Sequence, residues 1–324
     1  MAVLGIESSA HTFGVGIVDR GRILANEKSM YRITNKGMIP AEVAEFHIAN
    51  ATDVVERALD ASGLRIDGIT GIGYTRGPGL GPCLQVGQLT AKSLALRLDV
   101  PIVPVNHGLA HVEITKHIAR LKDPLALYVS GGNSQILKFD RKSHRYSVLG
   151  ETFDIGIGNM LDAFGRNLGL RHAWGSEIEK LARCGKYIPL PYTVKGMDFA
   201  FAGLLTRASG LVGREKKEDL CFSVQETSFA MLCEAVERAL LLSSSTELCA
   251  CGGVAQNSRL AEMLHMVAEE HGIRFARAPN EYNSDNGAMI ALVAEKMLAK
   301  GMDMPVGRCD FEQRYRIDEA VFHG

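Results

Sequence analysis

The sequence lacks a long apolar run, an excess of charge and paired cysteines, and each absence excludes a class of protein. No stretch of about 18 uninterrupted apolar residues occurs, although a membrane-spanning helix requires one. The net charge is −1, whereas proteins that bind nucleic acid unaided usually carry a strong basic excess. The seven cysteines include no CxxC pair, which argues against a disulfide framework and against a structural zinc site.

The remaining composition is that of a globular protein. The 324 residues, 46% of them hydrophobic and 23% charged, are enough for two domains that each bury a core. The first residues read as a strand rather than as a signal peptide, because no basic region precedes them. We therefore expect a cytoplasmic protein with no membrane segment.

One pattern of predicted elements occurs twice along the chain. A strand, a polar loop, a second strand, a charged turn and a third strand begin at Ala2, with the loop at residues 7–12, and again at Leu125, with the loop at residues 130–134. Each set is followed by a strand, a glycine-rich turn and a helix. The repeat predicts a two-lobed α/β fold with duplicated lobes: residues 1–123, which residues 301–324 would complete, and residues 124–300.

The glycine-containing loops are candidate phosphate sites. Backbone N–H groups exposed by glycine bind anions, and residues 130–134 read Ser-Gly-Gly-Asn-Ser. A single loop of this kind is more often an ordinary hairpin turn, but its recurrence in both halves favours ligand binding. The turn at residues 252–257 opens a helix, whose N-terminus also favours phosphate, although a tight strand-to-helix turn without a ligand explains it equally well.

Two histidines form a candidate metal site. His107 and His111 are four residues apart, so both side chains would lie on one face of a helix. A lone histidine is more often a satisfied structural residue, whereas this spacing leaves a metal site and a structural pair open. Gly108 follows His107, so the glutamate of the HExxH metallopeptidase motif is absent. Asp285, at the start of a predicted helix over 284–300, is a candidate third ligand.

Seven sequence blocks together resemble one known family. They are residues 5–12 (GIESSAHT), 107–111 (HGLAH), 128–133 (YVSGGN), 154–159 (DIGIGN), 195–198 (KGMD), 252–257 (GGVAQN) and 285–289 (DNGAM). The chain is similar over nearly its whole length to the universal tRNA threonylcarbamoyladenosine biosynthesis family. That family comprises TsaD in bacteria and the Kae catalytic subunit of the KEOPS complex in archaea and eukaryotes, and was formerly called O-sialoglycoprotein endopeptidase. The first block resembles the archaeal and eukaryotic branch.

The resemblance implies an actin/sugar-kinase/heat-shock-chaperone fold, ribonuclease H-like in each lobe. It implies transfer of a threonylcarbamoyl group from threonylcarbamoyl-adenylate to the adenosine 3′ of the anticodon in tRNAs reading codons that start with A, with release of AMP. It also assigns residues by position. The implied metal ligands are His107, His111, Tyr128 and Asp285, and the implied adenylate-binding residues are Tyr128, Val129, Ser130, Gly131, Gly132, Asp162, Gly175, Glu179 and Asn257.

The implied metal is a divalent ion acting as a Lewis acid, with iron expected and zinc, magnesium and manganese as alternatives. His107 and His111 would act in catalysis through it, and Glu7 would orient the metal shell or a water, or simply cap its own turn. The implied partners are tRNA and the KEOPS subunits: a small atypical kinase, separate or fused C-terminally, a small dimeriser and a regulatory subunit. Ala173 and Trp174 depart from the family's usual Pro-Gly-Gly-Pro turn, which weakens the assignments of Gly175 and Glu179.

Three other functions remain open at this point. A metallopeptidase would use the histidine pair but lacks the HExxH glutamate. An ATP-dependent small-molecule kinase on the same fold would need an acidic base beside its acceptor. A nucleotide-switched scaffold, as actin is, would need no catalytic metal.

Overall fold

The computed structural model describes residues 1–32, 38–171 and 175–323. In these ranges the strands are β1 (Ala2–Glu7), β2 (Thr12–Asp19), β3 (Arg22–Met30), β4 (Ile69–Gly77), β5 (Ile102–Asn106), β6 (Leu125–Val129), β7 (Ser134–Asp140), β8 (Arg145–Glu151), β9 (Val194–Lys195), β10 (Asp198–Phe199), β11 (Glu247–Cys251) and β12 (Arg274–Arg277). The helices are α1 (Pro40–Ser62), α2 (Gly81–Leu98), α3 (His107–Ala119), α4 (Ile157–Asn167), α5 (Gly175–Ala182), α6 (Ala202–Gly210), α7 (Lys217–Ser243), α8 (Ser258–Glu270), α9 (Asn280–Asn283) and α10 (Gly287–Leu298).

The chain forms two compact units. Unit 1 consists of Met1–His117, Asp140–Tyr146 and Ser284–Gly324, and unit 2 of Ile118–Phe139 and Ser147–Asn283. The C-terminal residues thus belong to the same unit as the N-terminal strands. The predicted lobe boundaries, 1–123 and 124–300, stay a prediction.

The sheet of unit 1 determines which side chains meet at its edge. Its strand order is β3-β2-β1-β4-β5; β1, β2 and β3 pair antiparallel, whereas β4 is parallel to both β1 and β5. Ile6 pairs with Tyr74, and Thr75 with Val105. Because the carboxyl ends of parallel strands lie at one edge of a sheet, Glu7, Thr75 and Asn106 are brought to a common edge.

Helix α10 packs against this sheet at backbone contact. A Cβ atom on Gly16 would lie 2.2 Å from the backbone nitrogen of Ala288, so only glycine permits the approach. The apolar faces of β1 and β2 and of the helices α1 and α2 complete a buried core that includes Leu4, Ile17 and Val54.

The sheet of unit 2 repeats this topology. Its order is β12-β11-β6-β7-β8, and β11 is parallel to both β6 and β12, while β7 is antiparallel to β6. In both units a meander of three strands is followed by two parallel strands, so the predicted duplication is confirmed. The long helix α7 supplies much of the core of unit 2, including Phe229 and Leu232.

Most predicted elements are confirmed, but the bounds of the predicted helix over 284–300 were wrong. The predicted helix over 284–300 begins at Gly287, because the side chain of Asn286 caps it by accepting a hydrogen bond from the N–H of Met289 at 3.0 Å. Asp285 therefore lies in the preceding loop. None of the helices in the described ranges combines the length and the hydropathy that crossing a bilayer demands.

Candidate functional site

The helix α3 carries both candidate histidine ligands in its first turns. Asn106 ends β5, and its Oδ1 accepts a hydrogen bond from the N–H of Leu109 at 3.0 Å, as an N-cap side chain does. The ring centroids of His107 and His111 are 4.6 Å apart, and both side chains are buried.

Asp285 joins the two histidines from the loop before α10. Its Oδ1 lies 3.3 Å from Nε2 of His111 and 3.6 Å from Nε2 of His107. Two hydrogen bonds to Ser284 hold this loop: Lys28 Nζ donates to its hydroxyl at 2.6 Å, and Asn286 Nδ2 donates to its carbonyl at 2.8 Å. Asp285 is 174 positions from His111 in the chain, yet the fold brings one donor atom from each of the three residues to one point.

These three donor atoms fit a divalent metal ion. The ligand atoms of His107, His111 and Asp285 all lie within 4.8 Å of one another. Metal–ligand bonds of about 2.1 Å at tetrahedral angles place neighbouring donors about 3.4 Å apart, and the two separations from Asp285 Oδ1 are close to that value. Two imidazoles and one carboxylate are also a ligand set typical of borderline transition metals rather than of calcium.

Glu7 is the outer partner of this triad. Its Oε2 lies 2.9 Å from Nδ1 of His107, and since a carboxylate can only accept, the Nδ1 proton is donated to it. Nε2, which faces Asp285, is thereby the nitrogen that a metal would bind, in place of the second proton that the two carboxylates favour on the ring. A carboxylate behind a histidine ligand is a recurrent feature of metal sites. Glu7 also accepts from the N–H of Ser9 at 2.6 Å, so it both caps its turn and orients His107.

The electrostatics of the cluster follow from burial and proximity. Burial alone would raise the pKa of Glu7, but the charge and hydrogen bond of His107 outweigh it and lower the pKa. Burial opposes protonation of His107, yet Glu7 and Asp285 together raise its pKa to about 9. Burial lowers the pKa of His111. The two histidines overcome the burial of Asp285 and hold its pKa well below its usual range. The carboxylates stay ionised, which favours a bound cation.

The loop at residues 130–132 lies in unit 2 against the N-terminus of α4. The N–H groups of Gly158 and Asn159 donate to the carbonyls of Ser130 and Gly131 at 3.2 and 2.9 Å. The Ser130 hydroxyl in turn accepts from the N–H of Asn133 at 3.1 Å. The loop is therefore fixed by hydrogen bonds at both ends, and Gly132 has open space where a Cβ would be. Val129 ends the strand β6 just before it.

The predicted nucleotide residues Glu179 and Asn257 meet at the start of α8. Oε1 of Glu179 accepts from the N–H of Ser258 at 3.1 Å and from its hydroxyl. Oδ1 of Asn257 accepts from the N–H groups of Arg259 and Leu260 at 2.9 and 3.1 Å. The amide nitrogen of Asn257 donates to Gln225 at 3.1 Å. Oδ1 of Asn257 thus caps α8 while its amide nitrogen is engaged by Gln225, and the predicted contact of Asn257 with a nucleotide stays a prediction.

Asp162 and Gly175 lie on neighbouring helices of unit 2. Asp162 is on α4, half-buried, and burial raises the pKa of its carboxyl to about 6, only partly offset by Arg166. Gly175 is the first residue of α5, and its Cβ position lies 3.6 Å from Leu161 on α4. Trp174, which departs from the family pattern, lies outside the described residues.

Tyr128 belongs to unit 2 and is buried in β6, next to Gly252 in the glycine-rich turn after β11. Its role as a fourth metal ligand stays a prediction. Sequence reasoning missed Thr75, whose hydroxyl donates to Oε2 of Glu7 at 2.7 Å inside unit 1. Thr75 lies near the carboxyl end of β4, which pairs in parallel with β1, and a hydroxyl residue at such a strand end is the signal that could have indicated it.

Solved structures share the fold at low sequence identity. HypF of T. kodakarensis matches with a TM-score of 0.64 at 15% identity, over 93% of this chain and 48% of that one. The activator of 2-hydroxyisocaproyl-CoA dehydratase from Clostridium difficile gives 0.56 at 13% identity, over 93% and 97%, and the ROK hexokinase of Thermus thermophilus gives 0.52 at 17%, over 92% and 100%. The actin-like, sugar-kinase type α/β fold predicted from the sequence is confirmed.

Sequence relatives are far closer. The chain is 46% identical to the tRNA N6-adenosine threonylcarbamoyltransferase of Methanopyrus kandleri, over 99% of this chain and 95% of that protein. It is also 46% identical to the protein of that name from Thermococcus sibiricus, over 98% of each. A third relative, from Thermoplasma volcanium, is 44% identical over 99% of this chain and 61% of its own length, and is named a probable bifunctional tRNA threonylcarbamoyladenosine biosynthesis protein.

The family profile described as TsaD, tRNA N6-adenosine threonylcarbamoyltransferase, matches residues 21–292. This range includes His107, His111 and Asp285, the three donors that the fold brings together from α3 and from the loop before α10. The resemblance seen in the seven sequence blocks is therefore confirmed, and the chain belongs to the tRNA N6-adenosine threonylcarbamoyltransferase family.

Proposed function

We propose that this protein transfers the threonylcarbamoyl group of threonylcarbamoyl-adenylate to the exocyclic amine of the adenosine 3′ of the anticodon, in tRNAs that read codons starting with A. The amine forms a new N–C bond to the carbamoyl carbon and releases one proton to solvent, the anhydride C–O bond breaks, and AMP leaves with the electron pair. The observation that carries the proposal is the His107–His111–Asp285 triad with Glu7 behind it, in a chain of this family.

We propose that His107, His111 and Asp285, with Tyr128 as fourth ligand, hold one divalent ion, iron in the first instance. When bound, such an ion supplies Lewis acidity to a substrate oxygen on which negative charge develops. The protein's own part is to keep the donors in place: Glu7 keeps the proton of His107 on Nδ1, and the loop before α10 fixes Asp285.

The adenylate is proposed to bind in unit 2. Peptide N–H groups of residues 129–132 would receive the phosphate, as glycine loops do, and for Ser130 this would replace its present hydrogen bond to the carbonyl of Asn133 at 2.8 Å. Asp162, Gly175, Glu179 and Asn257 would line the nucleoside, with Glu179 and Asn257 already adjacent at the start of α8. For the nucleoside to contact Asn257, the hydrogen bond from Asn257 to Gln225 is the one most easily exchanged, because it does not cap the helix.

The proposed partners are tRNA and the other KEOPS subunits, and the proposed compartment is the cytoplasm. The name of the Thermoplasma volcanium relative, a bifunctional protein of which this chain matches 61%, supports a functional link to a second enzyme of the same pathway. A small atypical kinase, a dimeriser and a regulatory subunit are the partners we propose to add to the assay.

Mass spectrometry of tRNA nucleosides tests the proposal. The chain is incubated with unmodified tRNA, threonine, bicarbonate, ATP, the adenylate-forming enzyme and the partner subunits. Threonylcarbamoyladenosine is expected with the wild type and absent with His111→Ala. The matched control is His117→Ala on the same helix, where the exposed ring lies 2.8 Å from the carbonyl oxygen of Gly21; this variant is expected to stay active. Failure of the complete mixture to form the nucleoside would refute the proposed function.

A further inference from the structure

A segment near the C-terminus crosses the edge of unit 1 that carries the metal triad. This C-terminal strap, residues 309–316, is held chiefly through its main chain. Tyr74 donates its hydroxyl to the carbonyl of Asp310 at 2.7 Å, and Gln88 Nε2 donates to the carbonyl of Cys309 at 2.9 Å. The N–H of Glu312 donates to the carbonyl of Arg76 at 2.8 Å. The strap therefore lies on the unit as an added, irregular layer.

The side chain of Arg76 adds a second kind of attachment. Its guanidinium lies 3.2 Å from a carboxylate oxygen of Asp310 and 3.5 Å from one of Glu312. The same group stacks 4.6 Å above the ring of Tyr315, a cation–π contact. At the adjacent Gly77 a Cβ would lie 1.9 Å from the carbonyl oxygen of Glu312, so the strap contacts bare backbone there. These contacts fix both the path of the strap along unit 1 and its distance from the backbone at Gly77.

Asn106 connects the strap directly to the helix of the histidine ligands. Its Nδ2 donates to the carbonyls of Tyr315 and Arg316 at 3.0 and 3.3 Å, while its Oδ1 caps the first turn of α3. The residue is 2% exposed and immediately precedes His107. One amide group thus joins the strap to the turn that carries the first ligand.

A second set of hydrogen bonds connects the strap to His107 through Ser9 and Glu7. The N–H of Gly79 donates to the carbonyl of Gln313 at 3.2 Å, and the N–H of Leu80 to the carbonyl of Ser9 at 2.7 Å. Ser9 in turn donates to Glu7, which receives the proton of His107. The strap therefore supports both the backbone and the outer carboxylate of His107.

We propose that the C-terminal strap is a positioning element of the metal centre and that Asn106 is the positioning residue through which it acts. The inference rests on the proposed metal site. His107 is the first residue of α3, and a helix end whose N–H groups are not engaged frays. With the strap in place the Asn106 amide has one orientation, so the Nε2 atom of His107 is held ready for the ion. Loss of such support to a ligand typically weakens metal affinity by about 10–100-fold.

The variant Asn106→Asp separates the strap contact from helix capping. Aspartate retains a capping oxygen, but it replaces the Nδ2 donor with an oxygen that faces the carbonyls of Tyr315 and Arg316. Co²⁺, titrated into the metal-free full-length chain and followed by its visible absorption, is the probe. Asn106→Asp is expected to bind Co²⁺ about tenfold more weakly than wild type, with an altered absorption band.

Two controls make the result specific. Val54→Ala removes methyl groups from the core of unit 1 and is expected to lower thermal stability while binding Co²⁺ as wild type does. Asn167→Asp makes the same chemical change at an exposed site in unit 2 and is expected to change nothing. If Asn106→Asp fails to fold, Arg76→Gln, which loosens the strap without altering α3, carries the same expectation of weaker Co²⁺ binding.

The outcomes distinguish this inference from the proposed function. Wild-type Co²⁺ affinity in Asn106→Asp, or in Arg76→Gln where that variant stands in, would overturn the positioning role alone. An equal loss in Val54→Ala would also overturn it, because general destabilisation would then suffice. If the wild type binds no Co²⁺, or binds it equally well after His111→Ala, the proposed metal centre itself is refuted.

Discussion

Replacing Glu7 with glutamine changes one buried group while preserving its shape. Glu7 is fully buried and accepts hydrogen bonds from Ser9 N–H at 2.6 Å, Thr75 Oγ1 at 2.7 Å and His107 Nδ1 at 2.9 Å. The glutamine amide has one oxygen and one NH₂ group, so it cannot accept all three bonds. Its two orientations have different consequences for His107.

If the amide oxygen faces Ser9, the NH₂ group faces Thr75 and His107. The hydroxyl of Thr75 can turn to accept, but His107 can accept at Nδ1 only by moving its proton to Nε2, the atom that would bind the metal. If the oxygen instead faces His107, the NH₂ group opposes the buried N–H of Ser9, at a cost of about 1–3 kcal/mol. When the amide oxygen faces Ser9, each hydrogen-bond donor and acceptor around residue 7 keeps a partner, so this is the orientation that we expect.

Glu7→Gln should therefore weaken Co²⁺ binding about 10–100-fold, or about 1.4–2.7 kcal/mol of binding free energy. Titration of Co²⁺ into the full-length variant, followed by visible absorption, measures the change. Threonylcarbamoyladenosine formation at limiting metal should fall in parallel and recover partly as metal is added.

The matched control is Glu113→Gln, another buried glutamate in unit 1. Glu113 is held by Lys116 at 2.5 Å, Lys296 at 2.8 Å and Tyr146 at 2.7 Å. Its loss leaves two lysines without their carboxylate, which should destabilise the fold by about 3 kcal/mol while leaving Co²⁺ affinity unchanged. Wild-type Co²⁺ affinity in Glu7→Gln, or an equal loss in Glu113→Gln, would refute the tautomer argument.

Substitutions at three further positions test separate features. Asp162→Asn should stabilise the metal-free protein at pH 7 by about 3 kcal/mol, since the native pKa of Asp162 is about 6 against an ordinary 3.8. Stability of the wild type is then lost as the pH rises from about 4 to 6, so unfolding free energies of the two proteins should diverge across that interval; a difference independent of pH would contradict the assignment. Asn257→Ala should cost about 1 kcal/mol by removing the cap of α8, and Asn257→Asp should restore most of that stability in urea unfolding; if alanine costs nothing, the cap is not formed in solution. Gly16→Ala should lower the melting temperature through a loss of about 1–3 kcal/mol or more, because its Cβ would clash with Ala288; an unchanged melting temperature would mean that α10 is not in backbone contact with β2.

The parts of the fold and site that depend on nearby residues were predictable from the sequence. The strand β6 begins at the predicted Leu125 and ends just before the predicted loop, and β11 ends just before the predicted turn at residues 252–257, because short apolar runs ended by glycine or serine mark a strand directly. The pairing of His107 with His111 follows from helical spacing alone. The repeat of the two sheets was predictable because a polar loop and a charged turn mark each three-stranded meander in the sequence.

The parts that depend on distant pairings were not predictable in the same way. The contact of Glu7 with His107 joins residues 100 positions apart and requires the parallel alignment of β1, β4 and β5. The engagement of Asn257 as an N-cap and the start of α10 at Gly287 depend on side-chain hydrogen bonds that compete with a simple helical pattern. The strap's attachment is mostly to main-chain carbonyls, which no side-chain pattern encodes.

The backbone contact between α10 and the sheet has a consequence for ion selectivity. No layer of side chains separates Ala288 from Gly16, so α10 has little room to shift, and Asp285 precedes it by one capping residue. The two histidines proposed as ligands are on α3, which follows directly from β5 of the same sheet. A site built from such stiff elements cannot widen for calcium, whose bonds to oxygen are about 2.3–2.6 Å long. Ionic radius, as much as the chemistry of the donors, should therefore decide which cations the triad accepts.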